Sequence, residues 1–114
     1  MVQKPWGFYE VLSVSPICQV KRIVVFPEQR LSYQRHFRRA EHWFIVQGEA
    51  TIIRNDVPFK LIAGDAINIP VEAWHRVENQ LNVNLEFIEI QTGDYFGEDD
   101  IERIKDDYGR IIKI

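Results

Sequence analysis

Short runs of strand-forming residues, separated by residues that favour turns, extend along most of the chain and limit what it can fold into. These runs, rich in β-branched and aromatic residues, are 17–25, 43–46, 50–53, 66–69 and 83–90. Between them lie turn-forming residues, among them Pro27, Gly48, Asn55, Asp56, Gly64 and Pro70. Short strands at regular spacing, with no long helical period between them, are typical of a sandwich or barrel. The sequence therefore predicts an all-β fold, a small barrel.

One segment near the end of the chain has a different pattern. Residues 98–106 have the pattern of a helix, with Glu98, Asp99 and Asp100 near the start, where the helix dipole favours negative charge. We therefore expect a short C-terminal helix after the last strand.

The length and charge of the chain bound its domain count and its partners. With 114 residues it can build one core but not a second, so we expect a single domain over residues 1–114. A net charge of −3 gives no reason to expect a nucleic-acid or membrane partner. No apolar run approaches the roughly 18 residues of a membrane span, and residues 1–6 lack a signal-peptide core. We expect a cytoplasmic protein, in which the single cysteine, Cys18, serves packing.

Four potential metal ligands lie in two short segments of the chain. Gln34 and His36 are two residues apart, so on an extended strand their side chains share a face. Glu41 can join them beyond a short turn, and His75 must come from a strand that is distant in sequence but adjacent in space. One amide oxygen, two imidazoles and one carboxylate suit Zn, Mn, Fe, Co or Ni. We therefore expect a divalent metal ion, whose identity these ligands do not decide.

The two segments resemble the double motif of the cupins. Fifteen residues separate Gly48 from Gly64, which is typical of the shortest cupins. The resemblance implies a double-stranded β-helix, also called a jelly-roll barrel. Glu28 and Glu72 stand where the cupin pattern usually has glycine, a difference that weakens the turns but removes no ligand.

Further stretches of the sequence point to a narrower family. They are 4–9 (KPWGFY), 20–23 (VKRI), 39–43 (RAEHW), 97–101 (GEDDI) and 107–110 (DYGR). Together they resemble the isomerase domain of the type II phosphomannose isomerases, from about Pro5 to Arg110. In that family the domain usually follows a mannose-1-phosphate guanylyltransferase domain, which these 114 residues do not include. The resemblance implies metal-dependent interconversion of a phosphosugar substrate, mannose 6-phosphate, and fructose 6-phosphate, without guanylyltransferase activity.

The resemblance also implies roles for individual residues. The positions that match its metal ligands are Gln34, His36, Glu41 and His75. Arg39 matches an arginine beside the pocket, and Lys21, Arg103 and Arg110 match recurring basic positions. Glu89 and Lys21 are alternative candidates for the base that moves the proton, because each matches a family position on a predicted strand. Strand parity alone leaves this choice open.

The phosphate group of such a substrate requires cationic partners. Arginine suits it because its planar fork can bind phosphate oxygens in pairs. The candidates are Arg35, Arg38, Arg39, Arg103 and Arg110, of which Arg39 and Arg110 lead because they coincide with the family motif. The alternative is that these arginines lie on solvated faces and pair with the acidic tail.

The tryptophans and the remaining histidine have simpler interpretations. Trp6, Trp43 and Trp74 can line a sugar pocket, although large aromatic residues in a small barrel more often fill the core. His42 follows Glu41 directly, so on a strand it points to the opposite face.

Two other classes of function stay open on the sequence. The first is another metal cupin, acting on a different phosphosugar or using dioxygen. Gln34 argues against dioxygen chemistry, because iron cupins that handle oxygen commonly have histidine at this position. The second is a non-catalytic sugar-binding module, suggested by the unusual residues Glu28, Tyr33 and Arg35. In either case we expect a homodimer, because pairing protects exposed strand edges.

Overall fold

A computed structural model describes residues 1–108 of the chain. Within this part, the strands in chain order are β1 (Val2–Lys4), β2 (Gly7–Val14), β3 (Cys18–Val25), β4 (Tyr33–Arg35), β5 (Arg39–Gln47), β6 (Glu49–Arg54), β7 (Val57–Ile62), β8 (Ala66–Ile69), β9 (His75–Glu78), β10 (Leu85–Gly93) and β11 (Glu102–Lys105). No helix occurs between residues 1 and 108.

The strands form two sheets that enclose the core between them. One sheet has the order β1-β2-β3-β10-β5-β8 and the other the order β11-β4-β9-β6-β7. Neighbouring strands are antiparallel, and β10 lies at the centre of the larger sheet, between β3 and β5. This arrangement confirms the all-β jelly-roll barrel that the sequence predicts.

The inward side chains change from apolar to polar along the length of the barrel. In β10, Leu85 and Phe87 are buried at one end, and Glu89 and Gln91 are buried at the other. The neighbouring strand β5 shows the same change along its length. Its apolar Ile45 and Trp43 lie towards one end of the barrel, and its charged Glu41 and Arg39 lie towards the other. Apolar burial at one end thus stabilises the fold, while the other end collects charged groups inside the barrel.

The prediction of a C-terminal helix was wrong for the residues that the structure describes. Glu102–Lys105 form β11, which pairs with β4 along its free edge. Arg35 binds Glu102 across this pair at 2.7 Å, and the Asp100 carboxylate accepts the backbone N–H of Arg38 at 2.9 Å. A helix of nine residues has little stability by itself, whereas the edge of β4 offers these residues both backbone and side-chain partners.

Both glutamates that replace glycine in the cupin pattern lie in turns with left-handed backbone. Glu28 has φ 61° and Glu72 has φ 65°. A side chain in this region contacts its own backbone, which is why glycine is preferred there. The structure thus explains why the cupin pattern has glycine at these positions.

The predictions of cellular location, oligomeric state and domain count stay predictions. Residues 1–108 contain no helix long and apolar enough to cross a membrane. The cytoplasmic location, the homodimer and the single domain over residues 1–114 are expected from the sequence alone. Cys18, which is half-buried at the start of β3, is a free thiol.

We expect the substitution Glu28→Gly to stabilise the fold. A side chain in the left-handed region costs roughly 1–2 kcal/mol, and glycine avoids this cost while losing roughly 0.5–1 kcal/mol of backbone entropy on folding. The net gain should be about 0.5–1 kcal/mol in the free energy of unfolding, measured by urea denaturation. Glu28→Gln is the control, because it removes the charge and keeps the Cβ atom. Equal stabilisation by both substitutions would show that charge, not backbone strain, is responsible.

Candidate metal centre

Three of the four predicted metal ligands converge inside the polar end of the barrel. His36 follows β4, Glu41 lies on β5 and His75 begins β9, and each offers one ligand atom within 4.8 Å of the others. His36 Nδ1 lies 3.6 Å from Glu41 Oε2, and His75 Nε2 lies 3.7 Å from Glu41 Oε1. All three side chains are buried. The folded chain therefore forms a compact cluster of nitrogen and oxygen donors.

Gln34, the fourth predicted ligand, lies beside this cluster. It is the backbone partner of His75 across β4 and β9, and its side chain lines the same cavity. Its amide nitrogen donates to Ser32 Oγ at 3.2 Å. Because the nitrogen is engaged with Ser32, a cation would be bound by the amide oxygen, Oε1.

Both histidines of the cluster are held in the neutral form. Burial, with smaller contributions from neighbouring cations, lowers the pKa of His36 to about 2, and burial lowers the pKa of His75 to about 4. His75 Nδ1 donates to the carbonyl oxygen of Ala73 at 2.9 Å, which leaves Nε2 with a free lone pair towards Glu41. Neutral imidazole is the form that binds metal ions.

Arg39 and Trp43 fix the carboxylate of Glu41. Arg39 Nε donates to Oε2 at 2.9 Å, and Trp43 Nε1 donates to Oε1 at 3.0 Å. Arg39 Nη2 also donates to His36 Nε2 at 2.8 Å. Because Nε2 accepts this hydrogen bond, the neutral ring carries its proton on Nδ1, so His36 can bind a cation only after the guanidinium releases Nε2. Each carboxylate oxygen keeps a second lone pair, so the donor set fits a divalent ion of the Zn, Mn, Fe or Co type.

Glu89 and Lys21, the two candidate bases, face the same interior. Glu89 lies in the middle of β10, between Lys21 on β3 and Trp43 on β5 in the backbone register. Burial, reinforced by the charge of Glu41, raises the pKa of Glu89 to about 8. Gln91 Nε2 donates to Glu89 Oε1. The Lys21 ammonium lies 4.2 Å from the centroid of the Tyr9 ring.

One cavity unites these groups. It contains about 620 Å³ of open space, a volume that includes the solvent at its mouth. Of the predicted catalytic residues, Lys21, Arg39 and Glu89 line it. The fourth, Arg110, lies outside the described residues. The proposed roles of these side chains, and of the metal ligands, stay predictions.

The predicted phosphate-binding arginines separate into two groups. Arg39 and Arg103 line the cavity, whereas Arg35 and Arg38 lie outside it. Arg35 binds Glu102 and lies 4.6 Å from the centroid of Trp74, and the exposed Arg38 binds Asp94 at 3.1 Å. Arg35 stands between Gln34 and His36, so strand alternation already directs it to the other face.

The tryptophans and His42 follow the expectations from the sequence in most respects. Trp6 and Trp43 are buried core residues that also border the cavity, whereas Trp74 lies outside it. His42 points away from Glu41 and bonds to Asn68 Oδ1 at 2.6 Å on the outer face.

The sequence analysis assigned no role to several residues that the structure places at the cavity. They are Lys4, Tyr9, Arg76 and Glu98. Lys4 and Tyr9 belong to the stretch 4–9, and Glu98 belongs to the stretch 97–101. The resemblance of these stretches to the isomerase family could therefore have identified all three residues as candidates. Gly93 was also overlooked. A Cβ atom there would lie 2.1 Å from the carbonyl oxygen of Arg38, so only glycine lets β10 end against the segment that leads into Arg39.

Comparisons with known proteins agree with this geometry. The family model described as mannose-6-phosphate isomerase C-terminal matches residues 1–106. The alginate biosynthesis protein AlgA of Pseudomonas aeruginosa is 46% identical over 109 residues. A mannose-1-phosphate guanylyltransferase of Salmonella montevideo is 46% identical over 110 residues. Each match covers 96% of this chain but 23% of the relative, so the chain spans less than a quarter of their length.

A solved structure supports the fold independently. An uncharacterised conserved protein of Klebsiella pneumoniae with a double-stranded β-helix domain superposes with a TM-score of 0.78 at 17% identity. The match covers 92% of this chain and 84% of that one. At this identity the similarity concerns the fold alone, and it confirms the cupin-type barrel.

We expect acid to destabilise the metal-free protein through its two buried histidines. Their folded-state pKa values, about 2 and about 4, lie below the ordinary value of 6.5. Below pH 6.5 the unfolded chain therefore binds protons that the folded chain does not bind, so stability falls as the pH falls. For His75 the loss extends from pH 6.5 to about 4, with a slope of up to about 1.4 kcal/mol per pH unit.

Urea unfolding at neutral and mildly acidic pH measures this effect. Between these conditions His75→Gln should lose less stability than the wild type, because one of the two protonation sites is gone. His42→Gln, which removes an imidazole from the outer face, is the matched control and should follow the wild type. The same pH dependence in wild type and His75→Gln would contradict the prediction.

Proposed function

Because the chain belongs to the mannose-6-phosphate isomerase C-terminal family, we propose that it interconverts mannose 6-phosphate and fructose 6-phosphate with a divalent metal ion. The observation that carries this proposal is the convergence of His36, Glu41 and His75 with Glu89 in one cavity. A metal-type donor set beside a buried carboxyl group can supply the charge stabilisation and the base that aldose–ketose isomerisation uses. The names of the relatives, which refer to alginate biosynthesis and to mannose 1-phosphate, support a place in polysaccharide precursor chemistry.

The reaction moves one proton between the first two carbons of the sugar. A base removes the proton beside the carbonyl group, an enediolate forms, and the proton returns to the neighbouring carbon. When bound, a divalent metal supplies positive charge that stabilises the enediolate oxygens. The residues that would hold it are Gln34, His36, Glu41 and His75.

Glu89 is the better placed of the two candidate bases. Its carboxyl group is buried within the cavity, one strand away from Glu41, and Gln91 fixes one of its oxygens. Its ionised form can accept the proton from one carbon and return it to the next without leaving its position, and with a pKa of about 8 this form increases as the pH rises towards 8.

Arg39 links the donor cluster to the substrate side of the cavity. It contacts Glu41 and His36, and its Nη1 donates to the carbonyl oxygen of Phe96 at 3.3 Å. These contacts hold the carboxyl group of Glu41 in position. Replacement of Arg39 would leave a buried carboxylate with one partner fewer, which is costly.

The first test combines metal analysis with a coupled isomerase assay. We expect purified wild-type protein to hold about one metal ion per chain and to convert mannose 6-phosphate to fructose 6-phosphate. His75→Ala should lose the metal and lower activity by more than about a hundredfold, because it removes a ligand. His42→Ala, the matched control on the outer face, should retain both properties.

The outcomes of this test separate the candidate functions. Metal-loaded wild-type protein that binds the sugar phosphate in calorimetry without converting it would favour a non-catalytic sugar-binding module. Conversion of a different phosphosugar would keep the mechanism and change the substrate. Consumption of dioxygen would overturn the isomerase proposal.

The second test concerns the base. Glu89→Gln should lower kcat by about 10²–10⁴-fold, the usual contribution of a positioned acid–base group, while metal content stays at the wild-type level. Glu86→Gln is the matched control, because Glu86 lies on the same strand but binds Arg22 outside the cavity at 2.9 Å. Wild-type kcat in Glu89→Gln would exclude Glu89 as the base.

A further inference from the structure

We propose that Lys21 and Lys4, gathered at the ring of Tyr9, bind the phosphate group of the substrate. This inference rests on the proposed function for the identity of the sugar, but not for the anion site itself. Both lysines line the cavity. The sequence pointed to arginines as the phosphate-binding residues, and neither lysine was among those candidates.

Lys21 is a buried cation with no close anion among residues 1–108. Its side chain is 8% exposed, and none of the ion pairs within this part of the chain includes it. Glu89, its neighbour in the register, acts on it only from beyond ion-pair distance. A buried ammonium is expensive unless an anion compensates it. The site is therefore arranged to receive negative charge.

Two other cations of the cavity are already engaged with the protein. Arg39 donates to Glu41 at 2.9 Å. Arg76 donates to the carbonyl oxygens of Leu31 at 2.9 Å and of Lys105 at 3.0 Å. Using either of these side chains to bind phosphate would break contacts that hold the barrel together. Binding phosphate through Lys21 or Lys4 would not break such contacts.

Tyr9 holds the two ammonium groups without neutralising them. The nitrogen of Lys21 lies 4.2 Å and that of Lys4 lies 5.9 Å from the centroid of its ring. An aromatic face attracts cations but carries no net charge, so both remain available to an anion. Glu98 acts at the hydroxyl of Tyr9 and, after burial, is the main cause of its raised pKa. That carboxylate thus acts at the rim of the ring rather than as an ion-pair partner of either lysine.

Lys21 lies on the opposite side of β10 from β5, the strand that carries Glu41. In the register, Lys21 is opposite Glu89, which is opposite Trp43, so two strand spacings separate Lys21 from β5. This amounts to roughly 10 Å between the backbones. In a hexose 6-phosphate the phosphate is at the opposite end of the chain from the reacting carbons. With those carbons between Glu41 and Glu89, a sugar that extends across β10 towards β3 would bring its phosphate to Lys21.

The experiment compares Lys21→Met and Lys4→Met with the wild type. Methionine keeps most of the length and apolar contact of lysine but removes the charge. We expect Lys21→Met to raise KM for mannose 6-phosphate about tenfold to a hundredfold, with a smaller change in kcat. Inhibition by inorganic phosphate should weaken to a similar degree, and metal content should not change. Lys4, which is only half-buried, should give a smaller effect in the same direction.

Two further variants control the interpretation. Lys60→Met removes an exposed lysine on β7, whose nitrogen lies 3.8 Å from Glu49, and should behave as the wild type. Lys21→Arg keeps the charge and should retain most phosphate inhibition, which a purely structural role of Lys21 would not explain. Lys21→Met that lowers kcat alone would assign Lys21 to proton transfer and overturn the proposal. So would unchanged KM and phosphate inhibition in both methionine variants.

Calorimetry with inorganic phosphate separates this proposal from the proposed function, because it requires no turnover. If the wild type binds phosphate, Lys21→Met does not, and neither isomerises mannose 6-phosphate, the anion site stands and the isomerase proposal fails. If the wild type isomerises the sugar but both proteins bind phosphate equally, the anion site is excluded and the isomerase proposal stands.

Discussion

The buried carboxylate of Glu41 is the group on which the rest of the site depends. A charge that is removed from water is tolerated only when it has close partners, and Glu41 has them on every side. Arg39 and Trp43 each donate to one of its oxygens, and His36 and His75 lie within 4 Å. These partners come from β4, β5 and β9 or their ends. The contacts that compensate the buried carboxylate of Glu41 therefore also fix how these three strands meet.

The division of the barrel interior follows from the same requirement. Apolar side chains such as Phe87 and Ile45 fill one end completely and supply the burial that stabilises the fold. The other end can then hold Lys21 and Glu89 in the interior at a cost that the apolar end offsets. A cavity with fixed charges and little water is the environment in which electrostatic interactions are strongest.

Much of this was predictable from the sequence, and the errors have identifiable causes. Strand runs and turn residues predicted the all-β barrel, and the cupin resemblance predicted its jelly-roll form. The tail was mistaken for a helix because its local pattern is ambiguous and its pairing with the edge of β4 is a long-range contact. Arg35, one of the five candidates for the phosphate, lies outside the cavity and pairs with Glu102 of the acidic tail, the alternative that the sequence left open.

The sequence by itself determined which chemical groups are present. Their spacing also indicated that Gln34 and His36 lie near Glu41 and that His75 comes from a strand distant in sequence. Only the tertiary structure decided which charges are neutralised and which are not. Arg39 and Lys21 are both basic residues on predicted strands, yet one binds a carboxylate and the other has none within ion-pair distance in residues 1–108. The reason is physical, because neutralisation depends on contacts between strands, and these contacts exist only when the sheets close around the cavity.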